Sequence, residues 1–141
     1  MPGDLQRFRD SFRTKKNVLL VDDDKVFNFL SQRTLERMGF AERIHIANNG
    51  KEALDLLNDY FTGSLAVPDV ILLDLDMPVM DGFQFVAAFK KLKFPEKNNI
   101  RIVIVTSSEN PRDRQRAEEL GIKHYINKPI SESSLRSVLD A

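Results

Sequence analysis

An α/β fold is predicted for this chain: a doubly wound (βα)5 domain, with one parallel five-stranded sheet covered by helices on both faces. Three observations predict it. Five short apolar runs alternate with stretches of helical periodicity. The first, third and fourth runs are continuous in Val, Ile and Leu, as strands buried on both faces of a parallel sheet are. The length, 141 residues, suits one domain whose strands are joined by right-handed crossovers.

The elements follow in order. NVLLV (17–21) is the first strand. Over 25–38, Phe27, Leu30, Thr34, Leu35 and Met38 recur at helical spacing, and Gly39 supplies the stop. RIHIA (43–47) alternates, as an edge strand does. Ala53, Leu54, Leu57 and Phe61 form the stripe of a helix over 51–61. DVILLD (69–74) is the third strand, and Phe83, Val86, Ala87 and Leu92 mark a helix over 83–92. RIVIVT (101–106) is the fourth strand. The next helix, 111–120, opens on Pro111 and ends before Gly121, the usual asymmetry of helix ends. Its inner face is thin, mainly Ala117 and Leu120. HYIN (124–127) is the fifth strand, and Leu135, Val138 and Leu139 mark a last helix over 132–140 with Ser131 as N-cap. TGSLAVP (62–68) and FPEKNN (94–99) read as loops too short to be domain linkers.

Composition narrows the function. With 42% hydrophobic and 30% charged residues the chain is an ordinary globular protein. Basic and acidic residues number 21 each, so no global field draws it to nucleic acid or an anionic membrane. The balance is local: in 1–16, Arg7, Arg9, Arg13, Lys15 and Lys16 face only Asp4 and Asp10, so a basic leader precedes a mildly acidic domain at 17–141. Leu5, Phe8 and Phe12 suggest a short amphipathic helix there, which docks on the domain, contacts a partner or stays unordered. The absence of Cys excludes disulfides, thiolate metal sites and a cysteine nucleophile. Two histidines make a zinc enzyme or a Ser-His-Asp hydrolase hard to build. No apolar run approaches a membrane span and no signal peptide is visible, so a cytoplasmic location is expected.

Ligands of open α/β sheets sit beyond the carboxyl ends of the strands. Here the first strand ends in Asp22, Asp23 and Asp24, the third in Asp74, the fourth in Thr106, Ser107 and Ser108, and the fifth in Lys128 before Pro129. Singly, each has a bland reading as a helix cap, a strand-end hydroxyl, an exposed lysine or a turn. Together they place three acids, a hydroxyl and a lysine on one sheet edge. At about 4 Å and an effective dielectric of about 20, each like-charge pair costs about 4 kcal/mol before screening. A hard divalent cation removes that cost, and Mg²⁺ takes such carboxylates while leaving places for water and phosphate. Lys128 and Thr106 add donors for phosphate oxygens, so the set is suited to phosphoryl transfer with a carboxylate nucleophile.

The motifs LLVDDD (19–24), DVILLDLDMPVMDG (69–82), IVIVTSS (102–108) and GIKHYINKP (121–129) resemble those of the receiver domain of two-component response regulators. The resemblance covers 17–140 in the same order and spacing. It implies a flavodoxin-like sheet of strand order 2-1-3-4-5 and a switch that accepts a phosphoryl group on Asp74 from a histidine kinase or histidine phosphotransfer protein. It further implies Mg²⁺ held by Asp22, Asp23, Asp74 and the backbone carbonyl of Asp76, with Asp22 acting partly through water. Thr106 is then the hydroxyl that moves to the acyl phosphate, Lys128 the cation paired with it, and Tyr125 the aromatic that turns inward when Thr106 moves. Pro129 matches a proline usually preceded by a cis peptide. Two positions depart from the family: Asp76 places an acid where the family varies, and Lys25 stands where proline is frequent.

The competing reading is an Asp-nucleophile phosphatase of haloacid-dehalogenase type, suggested by Asp74-Leu75-Asp76. In that family the pair ends the first strand and further acids come later, whereas here they come earlier and Met77-Pro78 follows. A receiver used only for docking is disfavoured by the intact Asp74, Thr106 and Lys128. The chain is thus expected to be no enzyme beyond its own phosphorylation and dephosphorylation. As it stops about two residues after the last helix, a stand-alone receiver is expected, acting by contact with a downstream protein through helix 111–120 and Tyr125 or as a phosphorelay intermediate, with homodimerisation on phosphorylation a further option; a piece of a longer regulator would look the same.

Overall fold

The computed structural model describes residues 15–61, 67–93 and 97–139, apart from the Phe61 side chain. The expected leader helix and Phe61's place in its stripe lie outside the described residues. Among the described residues, five strands alternate with five α-helices. The strands are β1 (Lys16–Val21), β2 (Ala41–Ala47), β3 (Val70–Leu73), β4 (Arg101–Thr106) and β5 (His124–Asn127). The helices are α1 (Lys25–Arg37), α2 (Gly50–Phe61), α3 (Gly82–Lys91), α4 (Pro111–Glu119) and α5 (Glu132–Leu139). All paired strands are parallel, in the order β2-β1-β3-β4-β5, which is the topology expected from the sequence. β2 is an edge strand, in keeping with its alternation.

Successive strand residues point to opposite faces, so each central strand serves two cores. Leu19, Val21, Ile71 and Leu73 pack with Ala53 and Leu57 of α2 and with Phe85 and Phe89 of α3. Val18, Leu20, Leu72 and Val103 pack with Leu35 of α1 and Leu135 of α5. A smaller cluster of Leu75, Phe83, Ile104 and Ala117 seats α4.

The helix faces differ from expectation in places. Leu30 is 56% exposed, whereas Asn28 and Ser31 are buried. The rotation of α1 follows from Asn28, whose Nδ2 donates to the Asp22 carbonyl at 2.9 Å and turns that face inward. In α2 the buried set is Ala53, Leu57 and Tyr60, the last hydrogen-bonded to His45 Nδ1 at 3.0 Å. In α3, Ala87 is exposed and Phe85 and Phe89 fill the core instead. Within the expected loop 94–99, residues Lys97–Asn99 form a 3₁₀ turn. The thin face of α4 is as expected, with Ala117 its one buried residue.

Candidate functional site

Register brings the acids together. β1 and β3 pair Val21 with Leu73, so the next residue of each strand, Asp22 and Asp74, emerges at the same level of the sheet. Backbone bonds hold both ends: the Asp74 N–H donates to the Val21 carbonyl at 2.9 Å, and the Asp22 N–H to the Ala47 carbonyl at 3.0 Å. On the other flank the Lys128 N–H donates to the Thr106 carbonyl at 2.9 Å, which extends the β4–β5 pairing by one residue. The Lys128–Pro129 peptide is cis, as the family motif led us to expect.

Oxygens of Asp22, Asp23 and Asp74 lie within 4.8 Å of one another. Asp22 and Asp74 are buried and Asp23 is exposed. Lys128 spans the two buried acids, its Nζ standing 2.7 Å from Asp22 Oδ2 and 3.4 Å from Asp74 Oδ2. The shorter contact is an ion pair whose angles fall short of a hydrogen bond. Asp74 Oδ1 accepts from the Leu75 N–H at 2.8 Å. Burial, with Asp22 adding to it, pushes the Asp74 carboxyl above the ordinary carboxylate range despite Lys128 and the Leu75 amide. For Lys128 burial works against the charge, yet Asp22 and Asp74 outweigh it and the ammonium is held above its ordinary value. The arrangement is two desolvated carboxylates short of neutralising charge, a hard-oxygen site that could hold a divalent cation.

Neighbouring acids have other tasks. Asp24 N-caps α1, accepting from the Val26 and Phe27 amides at 3.0 and 3.1 Å, while its own N–H donates to Asp22 Oδ1 at 2.9 Å. Asp81 and Gln84 form a reciprocal capping box at the start of α3. The Asp76 side chain is exposed and does not belong to the carboxylate cluster.

Thr106 is buried at the end of β4, its Oγ1 accepting from the Ser108 N–H at 3.3 Å. Tyr125 lies on β5, partly buried, with the Arg114 guanidinium 5.1 Å from its ring centroid. Its hydroxyl is already enclosed and makes no well-formed hydrogen bond. Burial first, then the Asp113 carboxylate, pushes its ionisation upward, partly opposed by Arg114 and Ser108.

Four contributors escaped the sequence reading. Phe27 lies under Lys128, with Nζ 4.1 Å from its ring centroid, although its spacing marks it only as core. Asn28 braces the Asp22 backbone. The Leu75 amide holds Asp74. Gly82 is required because a Cβ there would stand 2.4 Å from the Asp74 carbonyl oxygen and 2.9 Å from Leu75 Cα. Its signals were the Asp81-Gly82 pair, which reads equally well as an ordinary turn, and its place at the end of the family motif of 69–82.

Comparison with known proteins adds independent information. The family model "Response regulator receiver domain" matches residues 18–140. The chain is 32% identical over 138 residues to a probable methanogenesis regulatory protein, FilR2, of Methanothrix harundinacea, covering 98% of this chain and 85% of that one. It is 32% identical to two-component response regulator 24 of Arabidopsis thaliana, covering 89% of this chain and 83% of that one. It also matches the sensor histidine kinase CheAY of Helicobacter pylori at 33% identity, covering 86% of this chain but only 14% of that one. Among solved structures, a two-component response regulator from Cytophaga hutchinsonii superposes with a TM-score of 0.80 at 30% identity, covering 89% of this chain and 96% of that one. Neither these comparisons nor the geometry supports the haloacid-dehalogenase-type alternative.

Proposed function

Because the chain belongs to the response regulator receiver family and is a phosphorylation-activated signalling switch, we propose that Asp74 is its phosphoryl acceptor. The observation that carries this reading is the position of Asp74: a buried carboxylate at the strand end, 3.4 Å from Lys128 and clustered with Asp22 and Asp23. The donor is the phosphohistidine of a histidine kinase or histidine phosphotransfer protein. An Asp74 carboxylate oxygen attacks phosphorus, the phosphorus–nitrogen bond breaks, and its electron pair returns to the imidazole. The burial that raises the Asp74 carboxyl also leaves its ionised form poorly solvated, which favours attack.

Asp22, Asp23 and Asp74 offer the oxygen donors that Mg²⁺ takes; the family resemblance adds the Asp76 backbone carbonyl as a further ligand. When bound, Mg²⁺ would neutralise the charge carried by the phosphoryl oxygens. Lys128 is the counter-ion this chain contributes, moving from the Asp74 carboxylate to the phosphoryl oxygens while keeping Asp22. The new acceptor oxygens draw the Thr106 hydroxyl from the Ser108 amide. Space vacated by Thr106 lets the partly buried Tyr125 ring, its hydroxyl already enclosed, settle inward and loosen its stack with Arg114. Output then runs through the weakly seated α4 and Tyr125 to a downstream protein or a second copy of the chain.

Donor docking has a suitable surface. Val26, Phe29 and Leu30 on α1 are 68%, 57% and 56% exposed, beginning two residues after the Asp24 cap. An apolar patch beside the acceptor fits helices that present a histidine. Among the described residues no helix is long and apolar enough to cross a membrane, and we place the switch in the cytoplasm with no nucleic-acid target of its own. We assign no enzymatic activity beyond self-catalysed phosphorylation and dephosphorylation.

Incubation with acetyl phosphate and Mg²⁺ is expected to add one phosphoryl group by mass spectrometry, and chelator or Asp74→Ala is expected to abolish it. Persistent modification of the Asp74→Ala protein overturns the assignment. Sustained turnover of phosphate esters would instead favour the phosphatase reading.

A further inference from the structure

The pole of the sheet opposite Asp74 carries a second cleft. It opens between the C-terminal ends of α3 and α4, over the first residues of β4 and β5, with a volume of about 470 Å³. That is the size of a small-ligand pocket. Arg101 lines it, whereas Thr106 at the far end of the same strand belongs to the acceptor site. Five steps of strand, about 17 Å, separate the two.

Its chemistry is two-sided. Leu120 and Ile122, both partly exposed, supply an apolar wall, backed by the buried Val86 and Phe89. Lys90, Lys97, Arg101 and Lys123 supply positive charge, and Asn98 and Asn99 neutral polar groups. No carboxylate is among the described residues lining the cleft. That concentration stands out in a chain whose formal net charge is zero.

The ordinary explanation is that these cations serve the helix ends. Two helix C-termini contribute about one negative charge together, against four full positive charges. Arg101 is committed in part, its Nη1 donating to the Val138 and Leu139 carbonyls at 2.8 and 3.1 Å. Lys97 Nζ lies on the Lys90 carbonyl and 5.9 Å from the Phe89 ring centroid. Lys90, Lys97 and Lys123 have no carboxylate partner among the described residues. Lys90 Nζ reaches over the cleft, 3.4 Å from the place a Cβ on Gly121 would occupy. His124, on the same wall, responds to this field: burial, then Arg101 and Lys123, hold its imidazole below the ordinary histidine value.

We propose that this cleft binds a small amphipathic anion, a phosphate-bearing ligand with a flat apolar body of nucleoside-monophosphate size, its phosphate on Lys90 and Lys123 and its body on the partly exposed Leu120 and Ile122 side chains. The site is independent of phosphorylation at Asp74.

Two-dimensional amide and histidine NMR of the full chain tests it, with AMP and GMP as probes. Adenosine serves as the body without the charge, and inorganic phosphate as the charge without the body. Either nucleotide is expected to shift the amides of 97–101 and 121–124 and to move the His124 titration upward. Exchanging both exposed lysines, Lys90→Gln with Lys123→Gln, is expected to weaken binding at least about tenfold, with phosphorylation of Asp74 and thermal stability unchanged. Shifts confined to the Asp74 pole, or no shift at millimolar nucleotide, overturn the proposal. So does full binding by the double variant, or binding of adenosine or inorganic phosphate as tight as that of the nucleotides. Shifts produced only by an acidic peptide would also overturn it, in favour of protein docking.

Discussion

Asp74, the proposed phosphoryl acceptor, works against stability. Its carboxyl is held above the ordinary range, first by burial and then by Asp22. A folded state that binds the proton more tightly than the unfolded chain loses stability as pH rises from the ordinary carboxylate value through the raised one. The ionised form present at neutral pH is therefore a cost of folding. Asp74→Asn is expected to make the metal-free domain more stable at pH 7 in denaturant titrations. That gain should vanish in denaturant titrations run at a pH below the ordinary carboxylate value. Nearby, Val79 has φ of 68° and closes a three-residue turn in which the Met80 N–H donates to the Pro78 carbonyl. A β-branched residue is strained there. Val79→Gly is expected to gain up to about 1 kcal/mol in the same assay, since the side chain is 76% exposed and no core packing is lost.

Among the elements, α3 and α4 are held in opposite ways. α3 is pressed onto the strand end that carries Asp74 through Gly82 and anchored by Phe85, Val86 and Phe89. Gly82→Ala forces a Cβ against the Asp74 carbonyl and Leu75 backbone, neither of which can swing aside. A loss of about 2–4 kcal/mol is expected in thermal unfolding, together with slower phosphorylation by acetyl phosphate. α4 rests on Ala117 alone, with an Asn110 cap and Pro111 in its first turn. Its arginines make up the deficit: Arg116 sits 4.2 Å from the Phe83 ring centroid and Arg114 5.1 Å from that of Tyr125. Such contacts are worth about 0.5–1 kcal/mol at exposed sites, less than a buried aromatic. A helix held this way can be displaced by a change at Asp74 without unfolding the sheet.

At the scale of the whole molecule, a buried bond between α2 and the edge strand β2 titrates at high pH. Tyr60 is 5% exposed and bonded to His45, and burial, then Asp59, raises its ionisation from 10.0 to about 12. Because the folded value lies above the unfolded one, its contribution is complete below pH 10 and is lost as pH rises through about 12. Unfolding free energy is expected to fall by roughly 2–3 kcal/mol across that window from this group. Tyr60→Phe should flatten the alkaline limb while lowering stability at neutral pH, where the His45 bond is lost. The two poles of the sheet also divide the labour, with carboxylates gathered at one end and lysines around the cleft at the other.

The amino-acid sequence by itself determined the strands, their alternation with helices and the residues at their carboxyl ends. Those features are local: continuous Val-Ile-Leu runs, turn residues, and acids or hydroxyls fixed one position beyond a strand. Asp22, Asp23, Asp74, Thr106 and Lys128 were legible because a parallel sheet gathers all its strand ends on one edge, whatever the details of packing. Tertiary structure alone decided which face of α1 turned inward, since periodicity favoured Leu30 over Asn28 and only the bond to Asp22 reverses that choice. It alone set Phe27 beneath Lys128, chose Phe85 and Phe89 over Ala87, and brought lysines from three separate segments around one cleft. The Asn28 bond spans only six residues but forms only once β1 and α1 are packed together, whereas Phe27 meets Lys128 across about 100 residues; such meetings are settled by packing in three dimensions, which no apolar pattern within one segment records.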